Sequence, residues 1–365
     1  MKFEKQVLDL AIEIQQIPSP TFHEQNRAQF VLEKFKEEGL EDISIDKINN
    51  VYARLPGKGD KRPIIISAHL DTVFPIETDL TTRKKGNKVL GPGLGDNSLG
   101  VAGLFGLLWS IRSQDFQLPG DIWFVANSCE EGLGDLKGMR EIAKKFGSSP
   151  IAYLVLEGMG QGNIYHKGLG VRRFHISAKT MGGHSWVDYG SPSAIHELVT
   201  LIQKLLEIKL PKDPKTSMNV GKIIGGTSIN TIASEASFHL DLRSEKEPEL
   251  NDLVAQVRKT VKDSEYSGLQ FEVEKIGDRP AGGLSKDHPL VKLAEDVIKN
   301  NGGNAKLIVG STDANIPLSM DLPAICIGLT AGGRAHSKDE FILLDPLQKG
   351  LTQLEKLIIR IFSDL

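Results

Sequence analysis

Short, β-branched apolar runs alternate along this chain with segments whose apolar residues recur at helical spacing. Buried strands are predicted at 63–68, 121–128, 151–157 and 323–328, and a mostly buried helix at 97–113. Because parallel strands are joined by crossover helices, this alternation predicts an α/β sheet that is covered on both faces. We expect a mixed, mostly parallel sheet between helices.

A second pattern occupies residues 170–283. Alternating strands and amphipathic helices follow one another there in the order β-α-β-β-α-β, the split βαβ arrangement of ferredoxin-like domains. The Gly/Pro-rich segment 277–283 is predicted to return the chain to the α/β domain. The sequence therefore predicts a discontinuous α/β domain, 1–169 and 284–365, with a ferredoxin-like domain inserted at 170–283.

The composition of the chain excludes several classes of protein. Its 365 residues are 40% apolar and 25% charged, as in globular proteins, and the net charge of −3 leaves no basic excess for nucleic acid. The first 20 residues read as an amphipathic helix ending near Pro18, not as a signal peptide, and no apolar run could span a bilayer. We therefore expect a cytoplasmic protein with neither nucleic acid nor a membrane as partner.

Side chains that can bind metal ions stand where the predicted strands end. Two cysteines, Cys129 and Cys326, are too few for a zinc-thiolate cluster, so any metal must be held by histidine and carboxylates. The carboxyl ends of strands are where the sites of α/β proteins collect, and more than four such ligands favour two divalent ions. The candidate ligands are His69, Asp96, Glu130, Glu131, Glu157 and His336.

Each of these residues also has a simpler interpretation. Asp71 could cap the strand end beside a half-buried His69. Asp96 could be the N-cap of the buried helix. Glu130 and Glu131 could be adjacent acids on a surface turn. Residue by residue the evidence is weak, and only the recurrence at strand ends favours a site.

Three neighbouring features are not interpreted as parts of the site. Gly93 and Gly95 follow a polar, charged segment, 77–88, instead of a strand, which argues against a dinucleotide-binding turn. Cys129 is interpreted as a small buried residue. The segment with His23 and Glu24 is interpreted as the start of a helix.

Five motifs, spread over most of the chain, resemble those of a known family. They are SAHLDTV, GPGLGDNSLG, EEGLG, GSTDAN and AHSKDEF. In these motifs the chain resembles the di-zinc exopeptidases and amidohydrolases of metallopeptidase clan MH, such as carboxypeptidase G, acetylornithine deacetylase, succinyl-diaminopimelate desuccinylase, aminoacylase and tripeptidase T. The resemblance implies hydrolysis of an amide bond by a water that bridges two zinc ions, for which Co²⁺ or Mn²⁺ could substitute.

The resemblance also implies a role for each site residue. Glu130 would be the general base, and Asp71 would orient His69. The peptide bond between Asp96 and Asn97 would be cis. The implied ligands are Asp96 bridging both ions, His69 and Glu157 at one ion, and Glu131 and His336 at the other.

The inserted domain would be the family's lid and dimerisation domain. In the family, the residue matching His184 reaches the active site of the partner subunit and stabilises the oxyanion, which implies a homodimer. Asn230 and Arg243 match lid positions that bind the carboxylate end of the substrate. On sequence alone, His184 could equally be a surface-loop residue, and Arg243 could form a salt bridge at a strand end.

The leading prediction is an exopeptidase acting on short peptides, either a di- or tripeptidase or a carboxypeptidase. Glu157 stands where the family's aminopeptidases tend to have aspartate, which fits carboxypeptidases, dipeptidases and deacylases, whereas GLTAGGRAHSKDEF resembles tripeptidase T. An N-acyl-amino-acid deacylase is therefore the alternative. A non-catalytic binding protein with the same fold is a more remote alternative. Full binding of the ligand by metal-free protein would favour that alternative.

Overall fold

The computed structural model describes residues 3–114 and 116–365, so the first two residues of the predicted N-terminal helix lie outside it. The helices, in chain order, are α1 Glu4–Gln15, α2 Gln25–Glu37, α3 Leu99–Ser113, α4 Lys137–Phe146, α5 Ala194–Leu206, α6 Glu247–Lys262, α7 Pro289–Asn300, α8 Asn315–Ser319 and α9 Leu347–Asp364. The strands are β1 Glu41–Ile45, β2 Val51–Leu55, β3 Lys61–His69, β4 Arg83–Lys85, β5 Lys88–Leu90, β6 Gly120–Asn127, β7 Ala152–Met159, β8 Asn163–Gly168, β9 Gly170–Lys179, β10 Gly183–His184, β11 Thr216–Gly225, β12 Thr231–Ile232, β13 Glu235–Ser244, β14 Gln270–Arg279, β15 Gly282–Gly283, β16 Lys306–Gly310, β17 Ala324–Thr330, β18 Gly332–Gly333 and β19 Phe341–Leu343.

The chain divides into two compact units. The first is made of Met1–Gly168 and Gly283–Leu365, and the second is Leu169–Gly282. Each unit has a hydrophobic core of its own.

A mixed sheet forms the centre of the first unit. Its strands lie in the order β1-β2-β6-β3-β7-β17-β8, and β16 also pairs with β8. The four strands β6, β3, β7 and β17 run parallel to one another, whereas β1 and β2 pair antiparallel at one edge. The predicted α/β class with a largely parallel central sheet is therefore confirmed. The carboxyl ends of these four parallel strands meet at one edge of the sheet.

Helices cover both faces of this sheet. In β3, the consecutive residues Ile64, Ile65 and Ile66 are all buried, although successive strand residues point to opposite faces. Burying each of these side chains contributes roughly 1.5–3 kcal/mol to folding. The predicted buried helix is α3, whose Phe105 stacks on Phe35 of α2 with ring centroids 4.8 Å apart.

Several elements of the first unit lie outside the sequence predictions, among them β8. The charged segment 77–88 contains β4 and the first residue of β5, and these two strands join β18 and β19 in a small separate sheet. β4 is Arg-Lys-Lys with every residue exposed, so pairing with β5 and not intrinsic propensity makes it a strand. Helix α4 is likewise unpredicted. Among the described residues, no helix is both long and apolar enough to cross a bilayer.

The second unit has a four-stranded sheet and two helices, with the short strands β10 and β12 between them along the chain. β9, α5, β11, β13, α6 and β14 follow one another along the chain, and the sheet order is β11-β13-β9-β14 with every pair antiparallel. Helices α5 and α6 bury apolar side chains such as Leu198, Leu201, Leu253 and Val257 in its core. The short strands β10 and β12 pair antiparallel and carry the loops around His184 and Asn230.

Candidate active site

His69 ends β3 with its imidazole buried among acids. Its Nδ1 lies 3.0 Å from the main-chain carbonyl oxygen of Asp71. A carbonyl oxygen only accepts, so Nδ1 donates this hydrogen bond and Nε2 is the nitrogen that faces the acids. Nε2 lies 3.2 Å from Asp96 Oδ1 and 3.8 Å from Glu157 Oε2. Burial lowers the pKa of His69, but Asp71, Asp96 and Glu157 outweigh burial and hold that pKa well above its usual value.

Asp96 faces two histidines with its two carboxylate oxygens. Oδ1 is 3.2 Å from His69 Nε2, and Oδ2 is 3.1 Å from His336 Nε2. Burial opposes ionisation, but His336 and His69 together hold the pKa of Asp96 below its usual range. The Asp96–Asn97 peptide bond is cis, as the sequence motif predicts. One carboxylate therefore contacts both histidines.

The second histidine, His336, is also close to Glu131. His336 Nε2 lies 3.1 Å from Glu131 Oε1 and 3.1 Å from Asp96 Oδ2. Hydrogen bonds to Asp96 and Glu131 raise the pKa of His336 to about 10. On the other side, burial raises the pKa of Glu157 to about 7, against the opposing effect of His69. The structure thus brings together all five residues predicted as metal ligands.

This donor set fits divalent cations better than it fits protons. His69 Nε2 can face carboxylate oxygens only when a proton or a metal cation lies between them. The single Nε2–H of His336 has to be shared between two carboxylates, whereas one metal ion would hold both carboxylates and the histidine as separate ligands. Donors about 2.1 Å from a tetrahedral ion lie about 3.4 Å apart, close to the spacings found here. Donor atoms of His69, Asp96 and Glu131 lie within 4.8 Å of one another.

Asp71 holds the turn that carries the paired glutamates. Its Oδ1 accepts from the backbone N–H of Glu130 and its Oδ2 from that of Glu131, both at 2.9 Å. Thr21 Oγ1 also donates to Oδ2 at 2.9 Å. The carboxylate is 3.7 Å from His69 Nδ1, so the close contact with His69 is made by the carbonyl of Asp71 and not by its side chain. The Asp71 carboxylate is thus engaged by the turn, and its role in orienting His69 stays a prediction.

Glu130 lies at the centre of this turn. Its side chain is buried, and its neighbours Cys129 and Glu131 flank it at the end of β6. The backbone of Cys129 is left-handed, with φ at 59°. Glu130 and Glu131 are adjacent in sequence, and Glu131 is the one whose carboxylate faces His336.

Glu24 is a supporting residue that sequence reasoning missed. The side chain is buried, and Oε1 accepts from the backbone N–H of Cys129 at 3.0 Å and from its thiol at 3.4 Å. It also accepts from the N–H of Phe22 at 3.0 Å, which is the turn-like contact expected at a helix start. The sequence therefore suggested the contact of Glu24 with Phe22, which is local, but not its contacts with Cys129.

Asn97 ties the Asp96 turn to β7. Its Nδ2 donates to the carbonyl of Leu156 at 2.8 Å, and its Oδ1 accepts from the N–H of Gly158 at 2.9 Å. A Cβ on Gly158 would collide with the main chain of Gly95, so glycine is required for this close approach. Glu157 is thereby held beside Asp96.

The three predicted lid residues belong to the second unit. His184 Nδ1 lies 3.2 Å from the backbone N of Trp186, which donates to it. The carbonyl of Asn230 accepts from the N–H of Ser185 at 3.0 Å. Arg243 Nε donates to Asp241 Oδ2 at 2.6 Å, which is the salt bridge that the sequence left open as an alternative.

Comparison with known proteins identifies the family. A model of Peptidase family M20/M25/M40 matches residues 65–360. This chain belongs to that family. The resemblance seen in the sequence motifs is thereby confirmed, and this M20-family chain is an enzyme of the metallopeptidase and amidohydrolase class.

Individual relatives of this M20-family chain include both peptidases and deacylases. Acetylornithine deacetylase of Vibrio campbellii is 24% identical, over 86% of this chain and 84% of its own. A tripeptidase from Staphylococcus aureus has a TM-score of 0.86 at 21% identity, covering 100% of both chains. The Bacillus subtilis YXEP protein, described as a dinuclear metal-binding peptidase of the M20 family, has a TM-score of 0.73 at 17% identity, covering 100% of this chain and 99% of its own.

Proposed function

We propose that this chain is an exopeptidase that hydrolyses an amide bond of short peptides with two zinc ions. The observation that carries the proposal is the position of Asp96, whose two oxygens lie 3.2 and 3.1 Å from two different histidines. His69 and Glu157 would complete one ion site, and Glu131 and His336 the other. Co²⁺ and Mn²⁺ suit the same oxygen and nitrogen donors.

When bound, such a pair of ions lowers the pKa of a water molecule and polarises the scissile carbonyl. Glu130 would take the proton of the attacking water and deliver it to the leaving amine. Asp71 supports this role by accepting hydrogen bonds from the N–H groups of Glu130 and Glu131. The proposed base and the proposed ligand are thereby held at a fixed distance from each other along the turn. His69 keeps its Nε2 lone pair available because its Nδ1 donates to a carbonyl.

A second candidate is an N-acyl-amino-acid deacylase. Two observations favour it: the similarity to acetylornithine deacetylase, and Glu157 where the family's aminopeptidases tend to have aspartate. Both reactions cleave an amide bond with the same water and the same base. They differ in whether the substrate has a free amine or an acyl group on its nitrogen.

Matched substrates decide between these two candidates. Zinc-loaded enzyme is offered di- and tripeptides with a free amine, and the same backbones N-acetylated. We expect release of amino acids from the free-amine peptides and no release of acetate from the N-acetylated ones, because the proposed substrate is a short peptide. Acetate release would identify a deacylase instead. If neither set is hydrolysed by protein carrying two ions, short peptides and N-acyl amino acids are both wrong substrates.

We also propose that the second unit is a ferredoxin-like lid through which two chains form a homodimer. Large apolar side chains stand exposed near His184 and Asn230, among them Trp186 at 85%, Tyr189 at 90% and Ile229 at 103% of full exposure. Exposed apolar side chains in such a concentration are typical of an interaction surface. His184 would stabilise the oxyanion in the partner's site, and Asn230 and Arg243 would bind the substrate's carboxylate end.

Mixing two inactive variants tests this proposal. In a heterodimer of Glu130→Gln and His184→Ala chains, one active site has both an intact base and an intact histidine from the other chain. After subunit exchange of equal amounts, we expect about a quarter of wild-type activity, since about half of the dimers are heterodimers. If the exchanged mixture is dimeric but stays inactive, His184 acts in the active site of its own chain. A monomer by light scattering would contradict the dimer itself.

A further inference from the structure

Glu340 is a buried carboxylate that the proposed reaction does not use. It lies four residues after His336 and directly before β19, and its side chain has no solvent exposure. A buried carboxylate costs free energy unless hydrogen bonds compensate it. The bonds that it makes therefore indicate what it does.

Two hydrogen bonds of its carboxylate go to the backbone beside the proposed shared ligand, Asp96. Glu340 Oε1 accepts from the N–H of Gly95 at 2.7 Å and from the N–H of Asp96 at 3.0 Å. Oε2 is buried and has no hydrogen-bond partner among the described residues. The main-chain carbonyl of Glu340 separately accepts from the N–H of Gly91 at 3.0 Å, a bond that does not depend on the side chain.

The position of this backbone decides where both oxygens of Asp96 point. An aspartate side chain has only two rotatable bonds, so a shift of its N–H and Cα moves the carboxylate with them. Oδ1 and Oδ2 must face His69 and His336 at the same time, and no rotation about the side chain can correct one without disturbing the other. A displacement of the Gly95–Asp96 backbone therefore affects both histidine sites together.

We propose that Glu340 is a positioning residue for Asp96, which holds the Gly95–Asp96 backbone so that one carboxylate serves two metal ions. This inference rests on the proposed two-ion function. Removing a residue that hydrogen-bonds to a metal ligand, without touching the metal itself, typically lowers metal affinity by about 10–100-fold. Because Glu340 acts through the shared ligand, its loss weakens both ion sites in parallel.

Two substitutions separate the effect of side-chain length at position 340 from the effect of its charge. Glu340→Gln keeps an oxygen acceptor at the same distance from the backbone but removes the charge. Glu340→Asp keeps the charge but withdraws the acceptor by one methylene. We expect Glu340→Gln to bind both ions within a few-fold of wild type, and Glu340→Asp to bind both about 10–100-fold more weakly.

Metal-free protein is titrated with Co²⁺, and binding is measured by calorimetry and by the visible absorption spectrum of the bound ion. Circular dichroism verifies that each variant is folded, and kinetics at saturating metal add a second readout. With a displaced Asp96, we expect kcat to fall while KM stays near the wild-type value. Glu340→Met, which fills the space without an acceptor, repeats the effect of Glu340→Asp.

Three results would overturn the inference. Glu340→Asp could bind both ions with wild-type affinity and spectrum, even at a lower melting temperature, which would make Glu340 merely structural. In the second result, the affinity for only one of the two ions falls. In the third, Glu340→Gln binds the ions as weakly as Glu340→Asp. Wild-type protein that binds no pair of Co²⁺ ions would instead refute the proposed function, so the two failures are distinguishable.

Discussion

Replacing Glu130 with glutamine is expected to lower kcat by about 10²–10⁴-fold while both ions stay bound. Glutamine has nearly the same shape, but its amide cannot accept the proton of the attacking water. The backbone N–H of residue 130 still donates to Asp71 Oδ1, so the turn and the ligand Glu131 keep their positions. Steady-state kinetics and metal analysis of the same sample check this prediction.

The control for Glu130→Gln is Glu141→Gln, a change of the same chemistry on α4. The Glu141 side chain is 50% exposed, so its neutralisation should leave kcat and metal content unchanged. A Glu130→Gln enzyme with wild-type kcat and two bound ions would show that another group moves the proton.

Replacing Asp96 with asparagine is expected to reduce the bound metal from two ions per chain to at most one. An asparagine side chain presents one oxygen and one NH₂ group, and the NH₂ group is a donor that repels a cation. The two histidines that face Asp96 then cannot both share an anionic oxygen with an ion. We expect hydrolysis to fall by more than about 100-fold, the upper end of the loss found for outer partners of metal ligands. Metal analysis after dialysis, with kinetics in parallel, measures both effects.

The matched control for Asp96→Asn is Asp79→Asn. Asp79 is an exposed residue whose carboxylate accepts from Thr81, so this change should leave both ions in place. Two tightly bound ions in the Asp96→Asn protein would contradict a shared carboxylate and would leave the five donors as independent ligands.

The proposed ligands could be singled out from the sequence because the signals that point to them are local. Runs such as Ile64–Ile66 mark a strand that is buried on both faces, and His69 stands at the point where such a run ends. In a parallel sheet the ends of several such strands meet at one edge, so residues far apart in sequence could be expected to converge. The strand order itself was not predictable, since an antiparallel pairing would have separated the same residues.

The supporting carboxylates could not be predicted, since they act across long stretches of chain. Glu24 reaches Cys129 over 105 residues, and Glu340 reaches Gly95 over 245. In a sequence, a glutamate that accepts two buried N–H groups looks the same as one on the surface, where most glutamates lie. Asp71 shows the same limit, because its carboxylate holds the turn of Glu130 and Glu131 while its carbonyl contacts His69.

By itself, the sequence determined the α/β class and the family, and it singled out the side chains that are proposed to bind metal. Each of these depends on residue type and on spacing along a strand or turn, which the chain specifies locally. Only the tertiary structure decided which oxygen of Asp96 faces which histidine, and which buried carboxylates hold the turns in place. Those outcomes depend on which strands are neighbours in the sheet and on which N–H groups burial leaves to be satisfied, and both are set only when the whole core has packed.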